Sequence, residues 1–95
     1  MYRLQVLTPE EIILDDDVIS LIAPGEQGYL GVLTDHAPII TSLKPGIIII
    51  TDKNNTKSYF NVSKGFLEVN SNNASIIVES ICSREPIDIG LSGGI

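Results

Sequence analysis

The stretch His36-Ala37-Pro38-Ile39-Ile40-Thr41-Ser42-Leu43-Lys44-Pro45-Gly46-Ile47-Ile48-Ile49-Ile50 decides the fold class. Pro38 fixes one φ and Pro45-Gly46 sets a sharp turn, so the apolar runs on either side are short and extended. The pattern reads loop, strand, tight turn, strand. Neighbouring side chains of a strand point to opposite faces, so four isoleucines in a row place apolar groups on both. A chain of 95 residues encloses one core, not two. The second face of the isoleucine run is therefore read as a surface for another protein.

The composition agrees with strands. Sixteen Ile and six Val stand against three Ala, and β-branched side chains suit a pleated sheet better than a helix. Eight Gly, five Pro and six Asn are spread along the chain, and no window of helix length is both free of breakers and periodic at 3.6 residues. The fold is expected to be all-β.

Outward from the opening stretch, strands are expected at Tyr2 to Leu7, Ile12 to Leu14, Val18 to Ala23, Tyr29 to Leu33, Ile39 to Leu43, Ile47 to Thr51, Lys57 to Ser63, Phe66 to Val69 and Ala74 to Cys82. Asp15-Asp16-Asp17 reads as a solvated turn and Pro24-Gly25-Glu26-Gln27-Gly28 as a loop. In Asp52-Lys53-Asn54-Asn55-Thr56, asparagine tolerates the left-handed backbone of a hairpin. Eight to ten short strands with turns at this spacing suit a sandwich or flattened barrel rather than a βαβ fold. Residues 1–83 are expected to form one β-sandwich domain, and residues 84–95, with Gly90, Gly93 and Gly94, a short flexible tail.

Net charge is −6, and the six basic residues are scattered singly. That argues against nucleic acid, which needs a basic stripe, and against direct lipid insertion on an anionic membrane. Neither a signal-peptide core nor a membrane span is present in the sequence. Cys82 stands alone, which fits a reducing compartment, and is read as a small core hydrophobe. The sequons at Asn54, Asn61 and Asn73 are read as inert without secretion.

Catalytic chemistry is scarce. His36 is the only histidine, and no Gly-x-Ser-x-Gly elbow presents a nucleophile to it. Three adjacent aspartates lack the alternate ligand spacing of a calcium loop, and one Cys with one His cannot build a structural zinc site. No catalytic residue, metal or cofactor is expected. The segment Pro24 to Gly31 reads equally as a connector and as a contact loop presenting Glu26, Gln27 and Tyr29.

Four segments in order carry a resemblance: Leu4 to Pro9, Pro24 to Leu33, His36 to Gly46, and Gly65-Phe66-Leu67-Glu68-Val69. Together they resemble the N-terminal domain of the epsilon subunit of F-type ATP synthases, called delta in mitochondria. The resemblance spans about residues 2 to 82. Its most specific parts are His36-Ala37-Pro38 and Lys44-Pro45-Gly46; Lys64 stands where the family usually has glycine.

The resemblance implies a flattened ten-stranded antiparallel β-sandwich or barrel with no catalysis of its own. It implies a rotor subunit of a proton-translocating enzyme, peripheral on the cytoplasmic face of the membrane, that couples c-ring rotation to gamma. By motif position, Thr8, His36 and Thr41 would lie toward gamma. Gly25, Glu26, Gln27, Gly28 and Tyr29 would meet the c-ring. Most members continue into two inhibitory helices, and some bind ATP through Ile/Leu-Asp-x-x-Arg-Ala. Here Ile87-Asp88 begins that motif, but Leu91 and Ser92 replace Arg and Ala, and the sequence stops at Ile95. ATP binding and helix-mediated inhibition are therefore not expected. The alternative reading is a small-ligand-binding β-sandwich module, suggested by an Ile-rich interior and a Gly-rich loop.

Overall fold

A computed structural model describes residues 1–86. Nine strands account for most of them: β1 (Tyr2–Leu7), β2 (Ile12–Gly25), β3 (Gly28–Val32), β4 (Ile39–Leu43), β5 (Gly46–Asp52), β6 (Lys57–Val62), β7 (Gly65–Asn70), β8 (Asn73–Val78) and β9 (Ile81–Arg84). There is no helix among the described residues.

The strands form two layers that share β2. The N-terminal half of β2 pairs with β1, and the first layer continues through β8 and β7 to β4. The C-terminal half of β2 pairs with β3 on one side and β5 on the other, and the second layer continues to β6 and β9. The first layer closes on the far end of β2 through one pairing, Gly25 with Leu43, and through the Lys44 amide donating to the Pro24 carbonyl at 2.8 Å. Closure of this kind leaves few free ladder edges.

Alternation fills the interior. Tyr2, Leu4 and Val6 of β1, Leu67 and Val69 of β7, and Ala74, Ile76 and Val78 of β8 meet Leu21, Ala23, Ile48 and Ile50 from the other layer in one buried cluster. Burying such side chains contributes roughly 1.5–3 kcal/mol each before the entropy of ordering is set against it. The Tyr2 hydroxyl donates to the Val32 carbonyl at 2.7 Å, joining the first strand of one layer to the edge strand of the other.

The all-β sandwich expected from the sequence is what forms, with differences in detail. Nine strands appear instead of ten, and one pairing, β1 with β8, is parallel. The merger of two expected strands explains part of this. Asp15-Asp16-Asp17 is no turn; it lies inside the 14-residue β2. Opposite it stand Gln5, Leu4 and Arg3 of β1, and the Arg3 guanidinium reaches Asp15 at 2.7 Å and Asp17 at 3.7 Å. Side chains two apart share a face, so one arginine meets both outward carboxylates and the ladder runs through them.

The Pro24 to Gly28 loop is likewise shorter than expected. Pro24 and Gly25 still pair with Tyr29 and Gly28, leaving Glu26-Gln27 as a two-residue turn completed by Gly28 at φ 126°. At the β7–β8 turn, Ser71 and Asn72 both adopt positive φ, 52° and 62°, which matches the twist of the flanking strands. The β5–β6 loop behaves as read: Asn55 sits at φ 65°, and the Asp52 carboxylate accepts from the Asn54 and Thr56 amides at 2.9 Å each.

Lys44-Pro45 does not close a hairpin. β4 pairs with β7, whereas β5 pairs with β2 and β6, so the chain crosses between layers here. Cys82 is exposed, not a core residue, because in edge strand β9 Ile81 takes the position that packs on the core. Of the tail expected from Arg84 onward, Arg84 instead ends β9 and donates to the Asn61 side chain at 3.1 Å. Residues 87–95, including Ile87-Asp88, lie outside the described residues.

Candidate functional site

Two surfaces could do work for this domain: the outer face of the first layer, and the end that carries the Glu26-Gln27 turn. The outer face is built in rows. Ladder register places Ser42, Phe66, Ile77, Leu7 and Ile12 side by side across β4, β7, β8, β1 and β2. The next row is Ile40, Glu68, Ser75, Gln5 and Asp15. The third is Asn70, Asn73, Arg3 and Asp17. The face thus grades from apolar at the Glu26 end to polar at the other.

Its apolar members are unusually open: Ile40 is 75% exposed, Phe66 58% and Ile77 49%, with Ile12 exposed as well. Contiguous exposed apolar groups of this kind mark a protein–protein contact more often than chance. The isoleucine run does put side chains on both faces. Ile48 and Ile50 enter the core, while Ile49 faces outward beside Ile22 and Tyr59. Yet Ile49 is only 8% exposed and Ile47 half-buried, so the open apolar surface is on the other layer.

Phe66, Ile77 and Ile12 were not singled out by the sequence reading. A signal for two of them existed: Phe66 shares its face with Glu68 and Asn70, and in Ile76-Ile77-Val78 the middle residue of a strand must turn away from the core.

The expected site residues are not gathered in one place. Thr8 follows β1 at the Glu26 end. Its hydroxyl accepts from the Glu10 and Glu11 amides at 3.3 Å each and so shapes the β1–β2 turn. His36 sits at the opposite end, half-buried, with Nδ1 2.7 Å from the Ala37 carbonyl oxygen. Its loop is tied to the β7–β8 turn. The Asp35 amide donates to the Asn72 side chain at 2.9 Å, and the Asn72 side-chain amide donates back to Asp35 Oδ1 at 3.1 Å. Asp35 holds φ 64° to make this possible. Thr41, midway along β4, lies with Gly25, Glu26, Gln27, Gly28 and Tyr29 around a surface depression of about 360 Å³. Glu26, Gln27 and Tyr29 are exposed, as a contact loop requires.

The hydrogen bond from Arg3 holds the Asp15 carboxyl below the usual carboxylate range, and burial pushes the Tyr2 phenol up. No group of three or more His, Cys, Asp or Glu side chains is arranged to hold a metal among the described residues.

The profile of the ATP synthase Delta/Epsilon chain beta-sandwich domain matches residues 1–84. The chain belongs to this family. The chain is 42% identical over 89 residues to an ATP synthase epsilon chain of Protochlamydia amoebophila, an alignment covering 94% of this chain and 60% of that relative. With the Moorella thermoacetica epsilon chain it shares 40% over 87 residues, covering 92% and 65%. The chain thus spans a little under two thirds of the length of these epsilon chains. Among solved structures, a chain of the Euglena gracilis mitochondrial ATP synthase (OSCP/F1/c-ring) superposes with TM-score 0.81 at 26% identity, covering 84% of this chain and 51% of that one. A chain from the Tetrahymena thermophila mitochondrial ATP synthase central stalk and c-ring superposes with TM-score 0.74 at 19% identity, over 95% and 72%, and shares the fold.

Proposed function

We propose that this chain is the β-sandwich of a non-catalytic central-stalk subunit of a proton-translocating ATP synthase, tying gamma to the c-ring so that ring rotation reaches the catalytic head. The observation that carries the reading, given the epsilon family, is the open apolar face of the first layer. A rotor element must hold its neighbour through a well-packed, largely dry contact, and Ile40, Phe66 and Ile77 supply apolar area that solvent alone does not favour. Gamma docks on this face. Of the residues expected to contact gamma, Thr8 follows the strand end nearest this face, whereas Thr41 alternates with the outward Ile40 and Ser42 and lies beside the Glu26 turn, and His36 lies at the opposite end. The Glu26-Gln27-Gly28 turn and Tyr29 meet the polar loops of the ring, a rim contact in which single charges contribute little affinity.

The location follows: peripheral, on the cytoplasmic side of the membrane, as part of the complex. No helix among the described residues is long and apolar enough to cross a membrane. The chain itself binds no nucleotide in this reading. A ligand-binding module would be expected to enclose its ligand, whereas the buried residues here form one packed cluster and the depressions described are open at the surface.

The test is titration of purified gamma into the chain. Ile40→Asp is expected to weaken binding by the order of one buried isoleucine, roughly 1.5–3 kcal/mol. Replacing Gln27 by Gly and Tyr29 by Ser, with Glu26 kept, is expected to spare gamma binding and lower proton-driven ATP synthesis relative to hydrolysis in reassembled membranes. Unchanged gamma affinity in Ile40→Asp overturns the docking face; unchanged coupling after loop replacement overturns the ring contact.

A further inference from the structure

A cleft of about 380 Å³ opens where the apolar face meets the Glu26 end, lined by Pro9, Ser42, Phe66, Ile77, Glu26 and Glu79 among others. Three strand ends form it, those of β4, β7 and β8, with the segment after β1 on one side and the β2–β3 turn on the other. Gly65 contributes only backbone to its wall. A Cβ there would collide with the Ile77 carbonyl oxygen and stand 2.7 Å from Val78 Cγ1, so the strand end cannot be filled from within.

Phe66 and Ile77 belong both to the cleft and to the open apolar face, which makes the cleft the deep end of that face. Its charge is lopsided: Glu26 and Glu79 against one cation, Lys64, with Glu10 and Glu11 following Pro9 on the same side. Glu26 also borders the second depression, so it stands on the ridge between the two.

We propose that this cleft is an anchor pocket for a single large apolar side chain, aromatic or branched aliphatic, presented by gamma beside a lysine or arginine that meets Glu79 and Glu26. The proposal rests on the docking face argued above and deepens it. The volume is at the small end of ligand sites, about 300–1,000 Å³, and suits one or two side chains. Binding energy at interfaces concentrates where such a side chain enters a pocket that neighbouring contacts seal from water. The carboxylates on the rim select which apolar residue enters, since a neighbouring acid would be repelled and a neighbouring cation drawn in.

The experiment is calorimetric titration of the purified gamma subunit into the full chain at two salt concentrations. Ser42→Trp, on the outward side of β4, fills the cleft and is expected to lower gamma affinity at least tenfold. Glu79→Lys is expected to lower it several-fold and to flatten its salt dependence. Because Glu79 is exposed, its charge reversal tests the proposal even if Ser42→Trp does not fold. If both variants bind within twofold of wild type with the same salt dependence while Ile40→Asp weakens binding, the anchor pocket is wrong and the docking face stands. If Ile40→Asp also binds normally, the face and the pocket fall together. Loss of c-ring binding alone in Ser42→Trp would assign the cleft to the ring and overturn the proposal.

Discussion

Single residues decide how the two layers are held. Tyr2 is the clearest case: its ring is buried and its hydroxyl bonds to the Val32 carbonyl at 2.7 Å. Tyr2→Phe is expected to cost about 1–2 kcal/mol, because a buried carbonyl loses its donor. The loss carries a pH signature. Burial raises the phenol's pKa in the folded state, so its stabilisation is full below the ordinary tyrosine value near 10 and drains as pH rises beyond it, when the unfolded chain releases a proton the native chain retains. Urea unfolding between pH 8 and 11 should show a shallower decline in Tyr2→Phe than in wild type. Equal slopes would refute the burial account.

Asp15 has the opposite sign. Its carboxyl is held low by Arg3, so the contribution is present above about pH 4 and lost as pH falls below it. Carboxylate titration by NMR should show Asp15 moving up toward the ordinary aspartate value in Arg3→Ala. No movement would mean that the pair does not persist in solution.

At the scale of elements, most strands were legible and their partners were not. The strands expected at Tyr2 to Leu7, Lys57 to Ser63 and Phe66 to Val69 are found at Tyr2–Leu7, Lys57–Val62 and Gly65–Asn70. Two local readings failed because the deciding contact is remote in sequence. Asp15-Asp16-Asp17 has the composition of a turn, and only Arg3 on the neighbouring strand makes it a strand. Cys82 has the pattern of a core residue, and only its place in an edge strand turns it outward. The candidate site was legible in part. The Glu26 turn announces itself by glycine and proline, whereas the open face depends on ladder register that joins β7, β8 and β1, which local sequence does not encode.

This scale yields a contrast between two isoleucines. Ile48→Ala, deep in β5, is expected to destabilise by 2–5 kcal/mol through lost burial and a cavity. Ile40→Asp, on the open side of β4, should leave the unfolding midpoint nearly unchanged. Comparable midpoints for both variants would erase the distinction between core and open face.

For the whole molecule, the defining pairing is that of β1 with β8, which joins Arg3 to Asn73 across most of the described chain. Loop closure over that distance must precede its reward, so folding should occupy milliseconds to seconds, as in other non-local β folds, instead of microseconds. Stopped-flow refolding checks this. A submillisecond single phase would show that the two chain ends meet in some cheaper way.

The sharing of β2 between layers also has a mechanical meaning. A push delivered at the Glu26-Gln27 turn enters one continuous length of backbone, flanked by β5 and β3 near the turn and by β1 farther along. Such a strand is loaded lengthwise. Its cross-strand bonds then share the strain in parallel, whereas a strand peeled from an edge gives them up one after another. A load applied at that turn would therefore be spread over the ladder bonds along β2 as far as the strands beneath the open apolar face.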